Sequence, residues 1–156
     1  MNLRELCDDY ADATDDFLRA ADVALAQPDR LDRHVEGGWS ARQVIHHVAD
    51  SETQSGIRLR RLLAEPAGSL IQGYDEDTWS RTPSLGYEEL PIELPLAVIR
   101  AVRAATLAVL LRLDASDLSR HGEHSESGRY DVAQWFDVYS NHPRFHAQQL
   151  LDALDL

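Results

Sequence analysis

Apolar side chains recur at the three- and four-residue spacing of an amphipathic helix in four long segments of the chain. These segments cover about residues 2–26, 40–65, 94–113 and 131–154. The alternation of apolar and polar residues that marks a strand is almost lacking between them. The pattern predicts an all-α fold: a four-helix bundle in one domain, residues 1–156, with a long crossover loop over residues 68–91.

The charge of the chain argues against nucleic acid and membrane partners. Fifteen basic residues, all of them arginine, stand against 27 acidic ones, so the formal net charge is −12. Such a surface repels phosphate groups. There is no signal-like start and no apolar run long enough to span a bilayer, and the single cysteine, Cys7, lies beside the apolar stripe of the first segment. We therefore expect a cytoplasmic protein, with Cys7 as a core residue.

The second segment has a clear start and carries a histidine doublet. Ser40 with Gln43 forms a capping box, which predicts that a helix begins directly after Ser40. With 100° per residue, His47 falls on the shoulder of the buried stripe that contains Val44, whereas His46 points to the opposite side. We therefore expect His47 to face inward and His46 to face outward. The preceding loop, residues 27–38, contains a Gly37–Gly38 pair that interrupts the helical pattern.

The fourth segment carries two more histidines on its inward face. His142 and His146 are four residues apart, so both side chains lie on the same side of a helix. With His47 they make three imidazoles that a bundle can bring together around a metal, leaving at least one coordination position open. The alternative is that all three are ordinary hydrogen-bonded core histidines. Pro143 lies between the pair, and we expect a tolerated kink that keeps His142 inward.

Seven further residues are weaker candidates for the surroundings of such a site. Asp50, one turn after His47, can orient an imidazole or form a salt bridge with an arginine such as Arg42 or Arg144. Arg58 can bind an anionic substrate group or pair with a buried carboxylate. The loop histidine His124 is placed closer to the site than His121. The seven are Asp50, Arg58, Tyr74, Asp75, Trp79, His124 and Tyr139.

Two motifs in this order resemble the DinB/YfiT-like superfamily of metal-binding four-helix bundles. The first is W-S-x-x-Q-x-x-x-H-x-A-D, residues 39–50, and the second is H-x-x-x-H-x-x-Q-L, residues 142–150. The run GYDEDTW, residues 73–79, together with Ile57 and Arg58, is similar to the YfiT branch. The resemblance covers nearly the whole chain. It implies that His47, His142 and His146 bind zinc or nickel, in a homodimeric protein.

The resemblance implies two kinds of reaction and leaves a third possibility. Branches of the superfamily are thiol S-transferases that use bacillithiol, mycothiol or a similar small thiol, and we expect this activity first. The alternative is a metal-dependent hydrolase with an activated water, and the third is a noncatalytic metal-binding or dimerisation module. A hydrolase requires a carboxylate base near the site, and a transferase requires cationic or hydrogen-bonding groups for a carboxylated thiol. A noncatalytic module predicts a closed metal shell or no metal, and no solvent-open pocket above the histidines.

Overall fold

The computed structural model describes residues 2–34 and 38–156. The break in the helical pattern predicted at Gly37–Gly38 lies partly outside them, because Gly37 is not among the described residues. Five α-helices and three short strands are present in this part of the chain. The helices are α1 (Leu3–Leu25), α2 (Ala41–Ala64), α3 (Glu76–Arg81), α4 (Glu93–Leu110) and α5 (Val132–Ala153), and the strands are β1 (Leu70–Ile71), β2 (His121–His124) and β3 (Gly128–Asp131). The four long helices confirm the predicted four-helix bundle.

Side-chain caps fix where the helices that carry the histidines begin. The Ser40 side chain accepts from the Gln43 amide and the Gln43 side chain accepts from the Ser40 amide, which confirms the predicted capping box of α2. Asp131 and Gln134 form the same arrangement at the start of α5. Because these pairs satisfy amides that the first turn leaves free, each helix starts at a defined residue, which fixes the direction of every later side chain.

The helices pack so that α5 lies along α1, and α2 lies along both α4 and α5. One cluster of buried side chains contains Phe17, Val44 and Leu150, and a second contains Tyr10 and Trp135. Cys7 is buried in the second cluster, which confirms its prediction as a core residue. No helix within the described residues is both long enough and apolar enough to cross a membrane.

Two segments predicted as loops contain regular structure. In the polar stretch 113–130, a 3₁₀ helix over Ala115–Ser119 is followed by the antiparallel strands β2 and β3. Strand β1 from the crossover loop pairs in parallel with β2. At Gly122, a Cβ would lie 2.5 Å from the Ser69 carbonyl oxygen, so only glycine allows the two strands to approach this closely. The prediction of a loop for residues 113–130 was wrong because β2 and β3 are too short to show an alternating pattern, and the partner strand β1 lies more than fifty positions away.

Helix α4 is shorter than predicted and less buried on one side. It ends at Leu110 rather than near Leu113, and Leu111 is its C-terminal cap residue. Leu94 and Val98 are exposed, whereas Arg103 is fully buried. Two arginines, Arg100 and Arg103, lie near the centre of the helix, and the spacing of the apolar residues did not show that Arg103 belongs to the core.

Candidate metal centre

Helix α2 places His47 at the interface with α5. The side chain of His47 has no exposed surface. Its Nε2 atom lies 3.3 Å from Nε2 of His142 and 3.1 Å from Nε2 of His146. The two α5 histidines are themselves separated by 3.1 Å between the same atoms. The structure thus brings together the three histidines that the sequence singled out, which we call the histidine cluster.

Helix α5 holds its two members of the cluster on one face although Pro143 lies between them. The helix runs without interruption from Val132 to Ala153, and Pro143 is inside it. His142 and His146 are therefore one turn apart and both point toward α2. His142 thus stays inward beside Pro143, as expected from the sequence.

The spacing of the nitrogen atoms fits a divalent metal. Zinc–nitrogen bonds of about 2.0–2.1 Å separate two ligand nitrogens by about 2.9 Å at right angles and by about 3.3 Å at the tetrahedral angle. The observed separations of 3.1, 3.1 and 3.3 Å fall within this range. Among the described residues, the group of metal-binding side chains that converges is His47, His142 and His146.

Three imidazoles this close are incompatible with hydrogen bonding alone. A neutral imidazole nitrogen either donates or accepts within the ring plane, so three mutually adjacent nitrogens always leave one pair with two lone pairs or two N–H groups facing each other. A cation between the three rings removes this conflict, because every nitrogen can then present its lone pair. The donor set therefore fits a metal better than it fits a satisfied core.

Burial keeps the rings neutral and able to ligate. Desolvation, with the neighbouring histidines, lowers the pKa of His47 to about 3 and that of His142 to about 2. Burial also lowers the pKa of His146, and the hydrogen bond with Gln149 opposes this shift. The Nδ1 atom of His146 lies 2.7 Å from Oε1 of Gln149. Since the amide oxygen accepts, Nδ1 carries the proton and Nε2 directs its lone pair into the cluster.

Trp39 covers one side of the histidine cluster. Its ring centroid is 4.7 Å from that of His47, and its ring lies parallel to His146 within 14° at 6.4 Å. In the sequence Trp39 is the first residue of the motif over residues 39–50 and directly precedes the Ser40 cap of α2. Its position one residue before the capping box is what brings it over the imidazoles.

A cleft of about 180 Å³ reaches the cluster from another side, at His142. Its lining combines hydroxyl, guanidinium, carboxylate and imidazole groups with one aliphatic side chain. The lining residues are Ser51, Arg58, Tyr74, Glu76, His124, Glu126, Val138, Tyr139 and His142. His142 is the member of the histidine cluster that lines this cleft.

Glu76 is the functional candidate that sequence reasoning missed. Its Oε2 atom is 3.7 Å from Nε2 of His47, and its side chain is 59% exposed toward the cleft. Asp75 accepts from the Thr78 amide at the start of α3, which places Glu76 in the first turn of that helix. Partial burial, with the nearby carboxylates of Asp77, Asp75 and Glu126, raises the pKa of Glu76.

The other predicted residues take distinct places. Arg58 donates to the Tyr139 hydroxyl at 2.9 Å and to the Gln72 carbonyl at 3.0 Å, and its guanidinium lies 6.0 Å from the Tyr74 ring. Tyr74 packs against Trp79 with ring centroids 4.6 Å apart. His124 lines the cleft.

Three residues near the site differ from expectation. His46 is buried rather than outward in solvent, because the loop after α3 covers it: its Nε2 is 3.1 Å from the Leu90 carbonyl oxygen and its ring is 5.6 Å from Tyr87. Asp50 accepts a hydrogen bond from the Tyr87 hydroxyl at 2.6 Å rather than pairing with an arginine. Asp75 caps α3 and does not line the cleft.

Comparisons with known proteins agree with this architecture. The family profile of the DinB superfamily matches residues 7–150. The solved structure of YfiT from Bacillus subtilis, described as a probable metal-dependent hydrolase with an unusual four-helix bundle topology, matches with a TM-score of 0.81. That match has 24% sequence identity and covers 98% of this chain and 87% of the other, so it establishes the fold.

Two curated relatives carry the provisional name of metal-dependent hydrolase. One from Oceanobacillus iheyensis is 36% identical over 110 residues, which is 70% of this chain and 62% of the relative. One from Bacillus mycoides is 32% identical over 114 residues, which is 73% of this chain and 64% of the relative. The matched region thus spans less than two thirds of either relative.

Proposed function

The chain belongs to the DinB superfamily, and we propose that it is a metal-dependent hydrolase that holds one zinc or nickel ion through His47, His142 and His146. The observation that carries the proposal is the carboxylate of Glu76, 3.7 Å from Nε2 of His47 at the mouth of the cleft. A base at this place is what hydrolysis requires, and the names of the two relatives point to the same activity.

The residues of the site divide the work between binding and proton transfer. A divalent metal supplies Lewis acidity and lowers the pKa of the nucleophile. The three imidazoles, kept neutral by burial, leave the full positive charge of the ion in place. Glu76 Oε2 accepts the proton of the attacking water and returns it to the leaving group. Trp39, which does not line the cleft, covers the rings of His47 and His146 and limits their contact with bulk water.

The open cleft favours an enzyme over a noncatalytic module. A purely structural metal site is closed by protein ligands. Here a cleft of about 180 Å³ ends at His142, and it is large enough for part of a small molecule. We therefore place a hydrolysable small molecule in it.

A thiol S-transferase is the second candidate, favoured by Arg58. The guanidinium of Arg58 and the hydroxyl of Ser51 line the cleft and are suited to the carboxylate groups of a small thiol. The two reactions differ in their need for Glu76. A thiol with a pKa of about 8.5 loses its proton far more easily than water does, so the transferase depends less on a base.

Metal content tests the ligand set. We expect untagged protein to contain zinc or nickel near one ion per chain by mass spectrometry, and each of His47→Ala, His142→Ala and His146→Ala to lose most of it. His121→Ala, which lies on β2 and does not line the cleft, is the matched control and retains the metal. A folded wild-type protein that takes up no metal after reconstitution contradicts the proposal.

Activity of a Glu76 variant separates the two reactions. We expect Glu76→Gln to keep its metal and to lose about 10²- to 10⁴-fold in hydrolysis of chromogenic esters or amides. Glu65→Gln, the same change at the exposed C-terminal end of α2, where Glu65 pairs with Arg61, is the control with unchanged rates. Consumption of a thiol and an electrophile that survives in Glu76→Gln, without hydrolysis in wild type, supports the transferase instead.

The proposal also includes the location and assembly implied by the family resemblance, a cytoplasmic homodimer in which each chain is one domain over residues 1–156. Sedimentation of the purified protein tests the dimer directly. A mass of one chain at micromolar concentration contradicts that part of the proposal and leaves the metal site untouched.

A further inference from the structure

Pro143 creates a specific problem at the metal centre. Proline has no amide hydrogen, so the carbonyl of Tyr139, four residues earlier, loses its helical partner. This carbonyl lies in the turn that leads into His142. Buried backbone carbonyls are almost always paired, and a break in this turn changes the direction of the residues that follow it. Yet α5 continues through Pro143 and His142 remains in the cluster.

Arg103 supplies the missing donor from another helix. It projects from the middle of α4 and is only 1% exposed. Its Nη1 atom donates to the Tyr139 carbonyl oxygen at 3.1 Å. The same atom donates to Glu52 Oε1 at 2.8 Å, so the buried positive charge faces a buried carboxylate on α2.

The guanidinium is held so that it cannot move away from this carbonyl. Its Nη2 atom donates to the Tyr10 carbonyl at 2.7 Å, and Nε donates to the Thr14 hydroxyl at 2.6 Å. The Tyr10 ring lies against its face, 3.7 Å from the central carbon to the ring centroid. Helices α1, α2 and α5 thus fix Arg103 together. A buried ion pair contributes little net stability compared with apolar packing, so this arrangement points to a more specific role.

We propose that Arg103 is a positioning residue of the metal centre: it completes the turn of α5 that Pro143 leaves open and so aims His142 at His47 and His146. This inference rests on the metal binding proposed above. It explains why a proline is tolerated between two ligands of one ion. Tyr139 is held at both ends, since Arg58 donates to its hydroxyl while Arg103 donates to its carbonyl.

The dependence on Pro143 distinguishes positioning from general support of the core. Pro143→Ala restores the amide hydrogen that can pair with the Tyr139 carbonyl. Arg103→Lys keeps the charge opposite Glu52 but lacks the planar fork that reaches several acceptors at once. In wild type we expect Arg103→Lys to weaken zinc affinity about 10- to 100-fold, as removal of a group that orients a ligand does. In the Pro143→Ala background, we expect Arg103→Lys to weaken zinc affinity by no more than about twofold.

The affinities are measured by competition with a chromogenic chelator, with melting temperatures recorded beside them. Arg144→Lys is the matched control, because Arg144 joins α5 to α1 through Asp9 and Asp16 without contacting the Tyr139 carbonyl. It lowers the melting temperature and leaves zinc affinity within about twofold. An equal loss for Arg103→Lys in both backgrounds, or no loss in wild type, overturns the positioning role.

A metal-free measurement separates this inference from the proposed function. In the apo protein, we expect the imidazole NMR signals of His142 to differ between wild type and Arg103→Lys. They do not differ between Pro143→Ala and the double variant Arg103→Lys with Pro143→Ala. The signals of His34 stay in place in both comparisons. Unchanged His142 signals overturn the inference even if zinc binds, and wild type that binds no zinc contradicts only the proposed function. If Arg103→Lys does not fold, Glu52→Gln with Arg103→Met removes both buried charges and takes its place in the same comparison.

Discussion

Replacing Gln149 with leucine removes the acceptor that fixes the tautomer of His146. Gln149 lies three residues after His146 on α5, and its Oε1 is 2.7 Å from Nδ1 of the imidazole. In the metal-free protein this is a neutral hydrogen bond of about 0.5–1.5 kcal/mol. When Nε2 binds a cation, the Nδ1–H group becomes more acidic and the bond strengthens to about 1.5–3 kcal/mol.

Only the strengthening on binding contributes to affinity. The difference between the two states is about 1–1.5 kcal/mol, which corresponds to about a five- to twelvefold loss of metal affinity in Gln149→Leu. Gln149→Glu changes affinity in the opposite direction, because a carboxylate is a stronger acceptor and makes the imidazole a more basic ligand. The sign of the two effects is therefore set by the same hydrogen bond.

Competition of zinc between the protein and a chromogenic chelator measures both variants. Gln148→Leu is the control: its amide bonds to Asp152 at the exposed side of α5, so its loss leaves affinity unchanged. If Gln149→Leu binds zinc as wild type does, or if Gln149→Glu binds more weakly, the hydrogen bond does not govern the orientation of His146 and the reasoning is refuted.

Three further predictions concern stability, each measured by urea denaturation of metal-free protein. Leu59→Ala empties a fully buried position and lowers the free energy of unfolding by about 2–5 kcal/mol, whereas Leu70→Ala at a half-exposed position changes it little. Ser40→Ala removes the cap of α2 and costs about 1 kcal/mol; an unchanged midpoint refutes this. Arg144 lowers the pKa of the Asp9 carboxyl, so the pair stabilises the fold at neutral pH and the contribution fades as the pH falls below about 4. Asp9→Asn therefore lowers the free energy of unfolding at neutral pH and lowers it less in acid. An equal effect at both pH values contradicts the argument.

The long helices could be predicted because their signals are local. Apolar spacing and capping pairs such as Ser40 with Gln43 lie within a few residues of each other, so the sequence shows them directly. The strands could not be predicted in this way. Leu70 and Ile71 pair with Glu123 and His124, more than fifty positions away, and each strand is too short to show an alternating pattern.

The histidine doublet shows what the helical angle can and cannot decide. The helical angle placed His47 correctly on the inward side of α2, because the apolar stripe marks the side on which other helices pack. It was wrong for His46, since the angle gives the direction of a side chain and not what covers it. The loop that contains Tyr87 and Leu90 folds over that side of α2 and buries the ring. Irregular segments leave no periodic signal from which such a cover can be inferred.

Glu76 was missed for a related reason, and the proposed hydrolysis depends on its position. Three acidic residues, Asp75 to Asp77, follow one another in the crossover loop, and their composition does not tell which of them faces the imidazoles. Asp75 caps α3 and Asp77 approaches Arg81 at the surface, which leaves Glu76 directed at His47. A short helix thus assigns three similar side chains to three tasks. Because a carboxylate in that direction can take the proton of an attacking water, the start of α3 supports the proposed hydrolysis more strongly than the histidines do, which suit either proposed reaction.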